Sequence, residues 1–115
     1  MVDYLLIHPD GTVTEHDDGI AVALHAVGCH GGDGQALPDT RENDTVVRLA
    51  ACAHATSMPE QHPENPIANG IIGALGYMHP EGWRGPIALY RDHYGHEAPL
   101  TAADIALVRE LADSL

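Results

Sequence analysis

Two hydrophobic periods alternate along this chain. Asp3 to His8 reads DYLLIH and Thr12 to His16 reads TVTEH, two strand-like runs separated by Pro-Asp-Gly. Proline presets a turn's φ, aspartate bonds local backbone, and glycine tolerates positive φ, so this stretch predicts a β-hairpin. Ile20, Leu24 and Val27 then follow at helical spacing. Asp18 is the expected N-cap and Gly28 the expected left-handed terminator of a helix over 19–27. Residues 28–44 are rich in glycine and acid and read as a loop. Thr45 to Ala53, TVVRLAACA, opens with a β-branched run and predicts a central strand, with a helix as the competing reading because of its alanines.

Asn65 and Pro66 form a cap and first-turn pair. Ile67, Ile71, Ala74 and Leu75 then make an apolar stripe that ends at Gly76. Gly70 and Gly73 each weaken such a helix by about 1 kcal/mol relative to alanine, so a close approach, such as to the sheet, is expected there. Residues 85–91, GPIALYR, read as a strand with Pro86 at its start or on an edge, and HYGHEAP as a connection. Leu100 to Leu115 carries the clearest helical pattern. Thr101 is its N-cap, Asp104 at N3 completes a capping box, and Leu100 can staple Ile105. Ile105, Val108, Leu111 and Ala112 are the predicted buried stripe. The order is ββαβαβα. It implies one α+β domain over 1–115, with a small mixed sheet of about four strands and about three helices on one face.

Composition adds two constraints. The chain is 44% hydrophobic but has no Phe, one Trp and four Tyr, so its core must be largely aliphatic. Its net charge is −12, with seventeen acids against five arginines and no lysine. Nucleic acid and anionic membranes are therefore not expected as direct partners. Basic surfaces, cations or other proteins fit the charge better, and simple solubility is the plainer reading of it. No run approaches a membrane span, the N-terminus lacks the basic region of a secretory signal, and two cysteines are too few for a disulfide framework. These features predict a cytoplasmic protein with reduced thiols.

The ordered pieces resemble a domain-of-unknown-function family of small uncharacterised proteins from actinobacteria, their phages and mobile elements. The resemblance rests on the PDG turn, LHAVG at 24–28, NPIA at 65–68, GPIAL at 85–89 and LTAADI at 100–105, and a bias to Ala, Gly, Asp, His and Arg fits a high-GC source. It implies a small α+β domain in a phage or mobile-element context. It brings no catalytic residues.

Candidate chemistry is sparse. Cys29-His30 and Cys52-x-His54 supply four zinc-type ligands, but adjacent Cys29 and His30 rarely face one metal. A buried Cys52 with solvent-facing histidines is the simpler reading. Cys29 as a nucleophile lacks a helix N-terminus to lower its pKa. GCHGGDG at 28–34 follows a helix and has no lysine, unlike a phosphate loop. HPDG at 8–11, HPEN at 62–65 and HPEG at 79–82 share a histidine and a carboxylate. Local backbone chemistry, a turn in the first and third and a helix entry in the second, uses the proline, the acid and the last residue together, whereas convergence on a metal uses only the histidine and the acid. Trp83, flanked by Tyr77 and Arg84, either anchors a partner or covers the edge of the core. No catalytic, cofactor or metal residue is assigned, and the chain is not expected to be an enzyme. The leading expectation is a non-enzymatic interaction protein acting on a host protein. The alternatives are a small-ligand or metal-binding module near 28–34 and 52–54, and an acidic nucleic-acid mimic. The acids fall mainly in loops, which disfavours regular mimicry.

Overall fold

In the computed structural model, residues 1–27, 32–38, 40–53, 55 and 57–115 are described. The first hairpin forms as its residues dictate. Strands β1 (Tyr4–Ile7) and β2 (Val13–His16) pair antiparallel, Leu5 opposite Glu15 and Ile7 opposite Val13. In the turn, Gly11 takes φ +91° and its N–H bonds the His8 carbonyl. The Thr12 N–H bonds the Asp10 carboxylate at 2.9 Å, and that bond leads the contacts holding the Asp10 carboxyl below its ordinary range.

The remaining elements are α1 (Ile20–Ala26), β3 (Gly32–Ala36), β4 (Val46–Cys52), α2 (Pro66–Ala74), β5 (Ile87–His93), β6 (His96–Ala98) and α3 (Ala102–Asp113). The strand reading of 45–53 holds as β4. Among the described residues the sheet has six strands, in the order β2-β1-β5-β4-β3 with β6 also on β5. Every strand pair is antiparallel. The expected four-stranded mixed sheet and the order ββαβαβα are thus corrected. Two strands came from segments read as connections. Gly32–Ala36 pairs with β4, its GDGQA sequence carrying no apolar alternation. His96–Ala98 pairs with β5 across the two-residue turn Tyr94-Gly95, both at positive φ.

The helices also divide between two faces. On one face α2 and α3 cover Leu5, Ile7, Val47, Leu49, Ala51, Ile87 and Leu89. On the other, α1 covers Tyr4, Leu6, Ala50 and Ala88 through Ile20, Ala26 and Val27. The placement of all helices on one face therefore fails. Tyr4, Leu6, Ala50 and Ala88 are buried apolar residues facing away from α2 and α3, and only a second layer can cover them. The core is aliphatic as expected, with Tyr4 and Trp83 as its aromatic members.

Helix entry follows the sequence at α2 and α3 but not at α1. Asn65 caps α2 through the Ala68 N–H at 3.1 Å, and Thr101 and Asp104 close a reciprocal capping box on α3. At α1, the Gly19 N–H is taken by Asp3 and the Ile20 N–H by Glu97, a residue from the far end of the chain. Asp18 instead hydrogen-bonds the Tyr4 hydroxyl, which burial and this carboxylate push up to about 12. Gly28, the expected terminator of α1, lies outside the described residues. Gly70 does meet a close neighbour, though not the sheet: a Cβ there would sit 2.5 Å from a methyl of Leu115. At Gly73 a Cβ would meet nothing within 4 Å, so packing does not explain that glycine.

Candidate functional site

The first and third histidine–proline motifs each close a turn, the second leads into α2 through its cap Asn65, and their imidazoles occupy separate surroundings. His8 bonds Thr14, which in turn bonds His16 at 2.7 Å, along one face of the first hairpin. His79 accepts the Glu81 N–H on Nδ1 while the Gly82 N–H bonds its carbonyl. His62 is buried, its Nε2 lying 3.7 Å from the Cys52 sulfur. Among the described residues no three Cys, His, Asp or Glu side chains are placed to hold one metal ion.

Cys52 is disulfide-bonded. The expectation of reduced thiols is therefore corrected at this residue, as is the reading of Cys52 as a free buried thiol. The pairing of β3 with β4, with Gly32 opposite Cys52, is the feature that sequence pattern did not show. Disulfides persist mainly in oxidising surroundings, so the cytoplasmic expectation loses the support that reduced thiols lent it. Cys29, His30 and His54 lie outside the described residues.

Trp83, Tyr77 and Arg84 come together, but as one end of the core. Trp83 is only 8% exposed, with the rings of His79 and Tyr77 at 4.8 and 5.9 Å. Its backbone N–H bonds Asn69 at 2.6 Å. Its indole Nε1 is buried without a hydrogen-bond partner, which ordinarily costs about 1–3 kcal/mol. Arg84 turns to the Glu64 carboxylate and the His62 carbonyl, both at 3.4 Å. A pocket of about 60 Å³ borders Trp83, Arg84, His79 and Cys52.

The larger concavity lies at the opposite end of the α2–α3 face. It is a cleft of about 460 Å³ between Pro38, Thr40, Arg41 and Glu42, the end of α2 at Ala74–Gly76, and the first turns of α3. That volume falls in the range of ordinary ligand and side-chain sites, about 300–1,000 Å³. Its origin is legible in β5. Ile87, Leu89 and Arg91 share a face by strand alternation, so an arginine stands where the core pattern calls for a third apolar residue. Arg91 is only 4% exposed. It stays charged because Asp104 meets it fork to fork, Nε and Nη2 each donating over 2.6 Å to a carboxylate oxygen. Nη1 donates to the Thr40 carbonyl and to the carbonyl and hydroxyl of Thr45. The Arg91 guanidinium is thereby held above its ordinary range, first by these bonds to Asp104. Burial pushes the Asp104 carboxyl up, but the bonds from Arg91 and Thr101 outweigh it and hold that carboxyl low.

Arg91 and Asp104 thus form the structural floor of the cleft. Below them an apolar recess of about 30 Å³ runs between Leu75, Leu107 and Val108, toward Leu5, Val47 and Leu89. Beyond the lining residue Arg41 stand two hairpin tips in left-handed backbone. Asn43 and Asp44 form one, at φ 51° and 60°, closed by reciprocal Glu42–Thr45 backbone bonds. Tyr94, at φ 49° and 70% exposed, forms the other. Arg41 joins the two. It donates to the Tyr94 hydroxyl at 2.8 Å and to Asp44 at 3.3 Å, and stands 5.6 Å from the Tyr94 ring.

No family model matches the chain, and no curated protein or solved structure does either. What the cleft can do therefore follows from its own atoms. Sequence reasoning missed it because Asp104 was fully explained as a cap and residues 93–99 as a connection. One signal was present: Arg91 occupies a core-facing position in the period-two run from Ile87.

Proposed function

We propose that this protein is a non-enzymatic interaction protein whose partner is a basic protein, and that the partner is met at the cleft between α3 and the two hairpin tips. The observation that carries this reading is the exposed Tyr94–Arg41 pair beside a concave, partly apolar surface. A bulky residue with positive φ is uncommon. Here, in the turn between β5 and β6, it holds an aromatic ring 70% exposed, bonded at its hydroxyl by Arg41 and met edge-on by His93. Tyrosine and arginine dominate energetic centres of protein interfaces. Charge supports a basic partner. Of the five arginines, Arg41, Arg84, Arg91 and Arg109 are committed to internal ion pairs, so the net charge of −12 faces outward. The family resemblance adds the context: an accessory factor of a phage or mobile element acting on a host protein.

Affinity capture from a host lysate on the immobilised full chain tests this. A specific basic protein should be retained at low salt and lost when both Tyr94→Ala and Arg41→Ala are introduced. Retention by that double variant at wild-type level, or capture of no basic protein, would overturn the reading. No helix among the described residues is long and apolar enough to cross a membrane, so the bait needs no detergent on that account.

A further inference from the structure

The chemistry of the partner can be narrowed within the cleft, on the strength of that interaction reading. We infer that the cleft receives a segment carrying a lysine or arginine next to an apolar side chain, the cation on Glu42 and the apolar group in the recess between Leu75 and Leu107.

The polar groups decide the sign of the charge. An anion would need a free cation, and the cleft has none at its floor. The Arg91 donors are taken by Asp104, Thr40 and Thr45. Arg41, on the margin and not the floor, is exposed, but its charge is already matched by Asp44 at 3.3 Å and its other contact is the Tyr94 hydroxyl. The under-used charge is negative. The Glu42 side chain is 58% exposed and its ion pair with Arg91 spans 3.6 Å, whereas a charge-assisted hydrogen bond runs at about 2.7–2.9 Å. Arg91 is already held by the tighter Asp104 bonds, so Glu42 can turn to an incoming cation without stranding it. The surrounding charge of −12 favours the same sign.

The apolar groups decide what accompanies the cation. Leu107 is 44% exposed on the first turns of α3, Leu75 is half-buried at the end of α2, and Pro38 is exposed across from them. The recess beneath holds about 30 Å³. A water-sized probe needs roughly 10–15 Å³, so this is room for a branched side chain's methyl groups. Water there would find few polar partners, which leaves the recess suited to a leucine or isoleucine tip. The whole cleft, about 460 Å³, accommodates that side chain and a neighbouring basic one.

The test is a titration of the isotopically labelled full chain, followed by backbone amide shifts, with three short synthetic peptides. One alternates Leu and Arg, one Leu and Glu, one Ser and Arg. The Leu/Arg peptide should move the amides of Thr40, Glu42, Leu75, Gly76, Ala103 and Leu107 and bind about tenfold tighter than either control. Glu42→Gln should weaken it about fivefold and Leu107→Ser about tenfold, with the native amide spectrum retained away from the cleft and stability lowered by no more than about 1 kcal/mol, since both side chains are partly exposed. Equal binding of the Leu/Glu peptide, shifts centred on Asp17 and Asp18 instead, or wild-type affinity in both variants would overturn the inference. A captured partner that both variants still retain would also overturn it, yet leave the interaction reading standing. Peptide seated in the cleft with no basic protein captured would sink the interaction reading alone.

Discussion

Asn65 separates a local role from a tertiary one. As a helix cap alone, its loss should cost about 1 kcal/mol. In the folded chain it is 0% exposed and binds three elements at once. Its carbonyl oxygen accepts the Ala68 N–H, while its amide donates to the Ile7 carbonyl at 3.0 Å and the Gly85 carbonyl at 2.9 Å. Asn65→Ala therefore removes the donors to two carbonyls as well as the cap, each carbonyl costing about 1–3 kcal/mol, for a total of about 3–7 kcal/mol. That is a large share of the roughly 5–15 kcal/mol that stabilises a domain. Asn65→Asp is the sharper variant. It keeps the capping acceptor but replaces the amide nitrogen, which donates both bonds, with one carboxylate oxygen facing two carbonyls. At neutral pH it should be at least as destabilised as the alanine variant. It should also recover on acidification, because burial raises the new carboxyl's pKa and the folded state then binds the extra proton. Urea denaturation followed by Trp83 emission and far-UV circular dichroism measures both. If Asn65→Asp lies within about 1 kcal/mol of wild type at neutral pH, the hub argument is wrong and Asn65 is only a cap.

Two further perturbations are independent of the cleft's ligand. Gly73→Ala should stabilise by about 1 kcal/mol in thermal denaturation, because the added methyl meets open space and only helix propensity changes; a loss of stability would refute this. Asp104 governs the acid limb. Its folded carboxyl titrates below the unfolded value of about 3.9, so its contribution is complete above that pH and disappears as the pH falls through the folded value. Asp104→Asn should be less stable at neutral pH and lose less on acidification below about pH 4, and an acid limb as steep as wild type would count against the assignment.

How much of this was legible varies with the range of the interactions. The Pro9-Asp10-Gly11 turn, the Asn65 cap and the Thr101–Asp104 box were all readable, because each is closed by residues within three positions of one another. The α1 entry was misread for the complementary reason. Asp18 is a sound cap by type, but the Ile20 N–H found Glu97, 77 residues away, and Asp18 found Tyr4. Strands β3 and β6 escaped notice because edge strands need backbone partners more than an apolar pattern, and GDGQA and HEA have little pattern to show. Trp83 was singled out for its rarity, and the structure places it mostly inside, where rarity says nothing of function.

The amino-acid sequence by itself determined the turns, two of the three helix starts, the aliphatic core and the surplus of negative charge. Those depend on backbone preferences, side-chain size and charge count, which neighbours along the chain scarcely alter. Only the tertiary structure decided which face each helix covers, that Arg91 and Asp104 meet, and that Arg41 and Glu42 line one cleft with Tyr94 bonded to Arg41. These last are juxtapositions of β3–β4, β5 and α3. No local pattern encodes them, because the energy that selects them comes from burying two sides of one sheet at once.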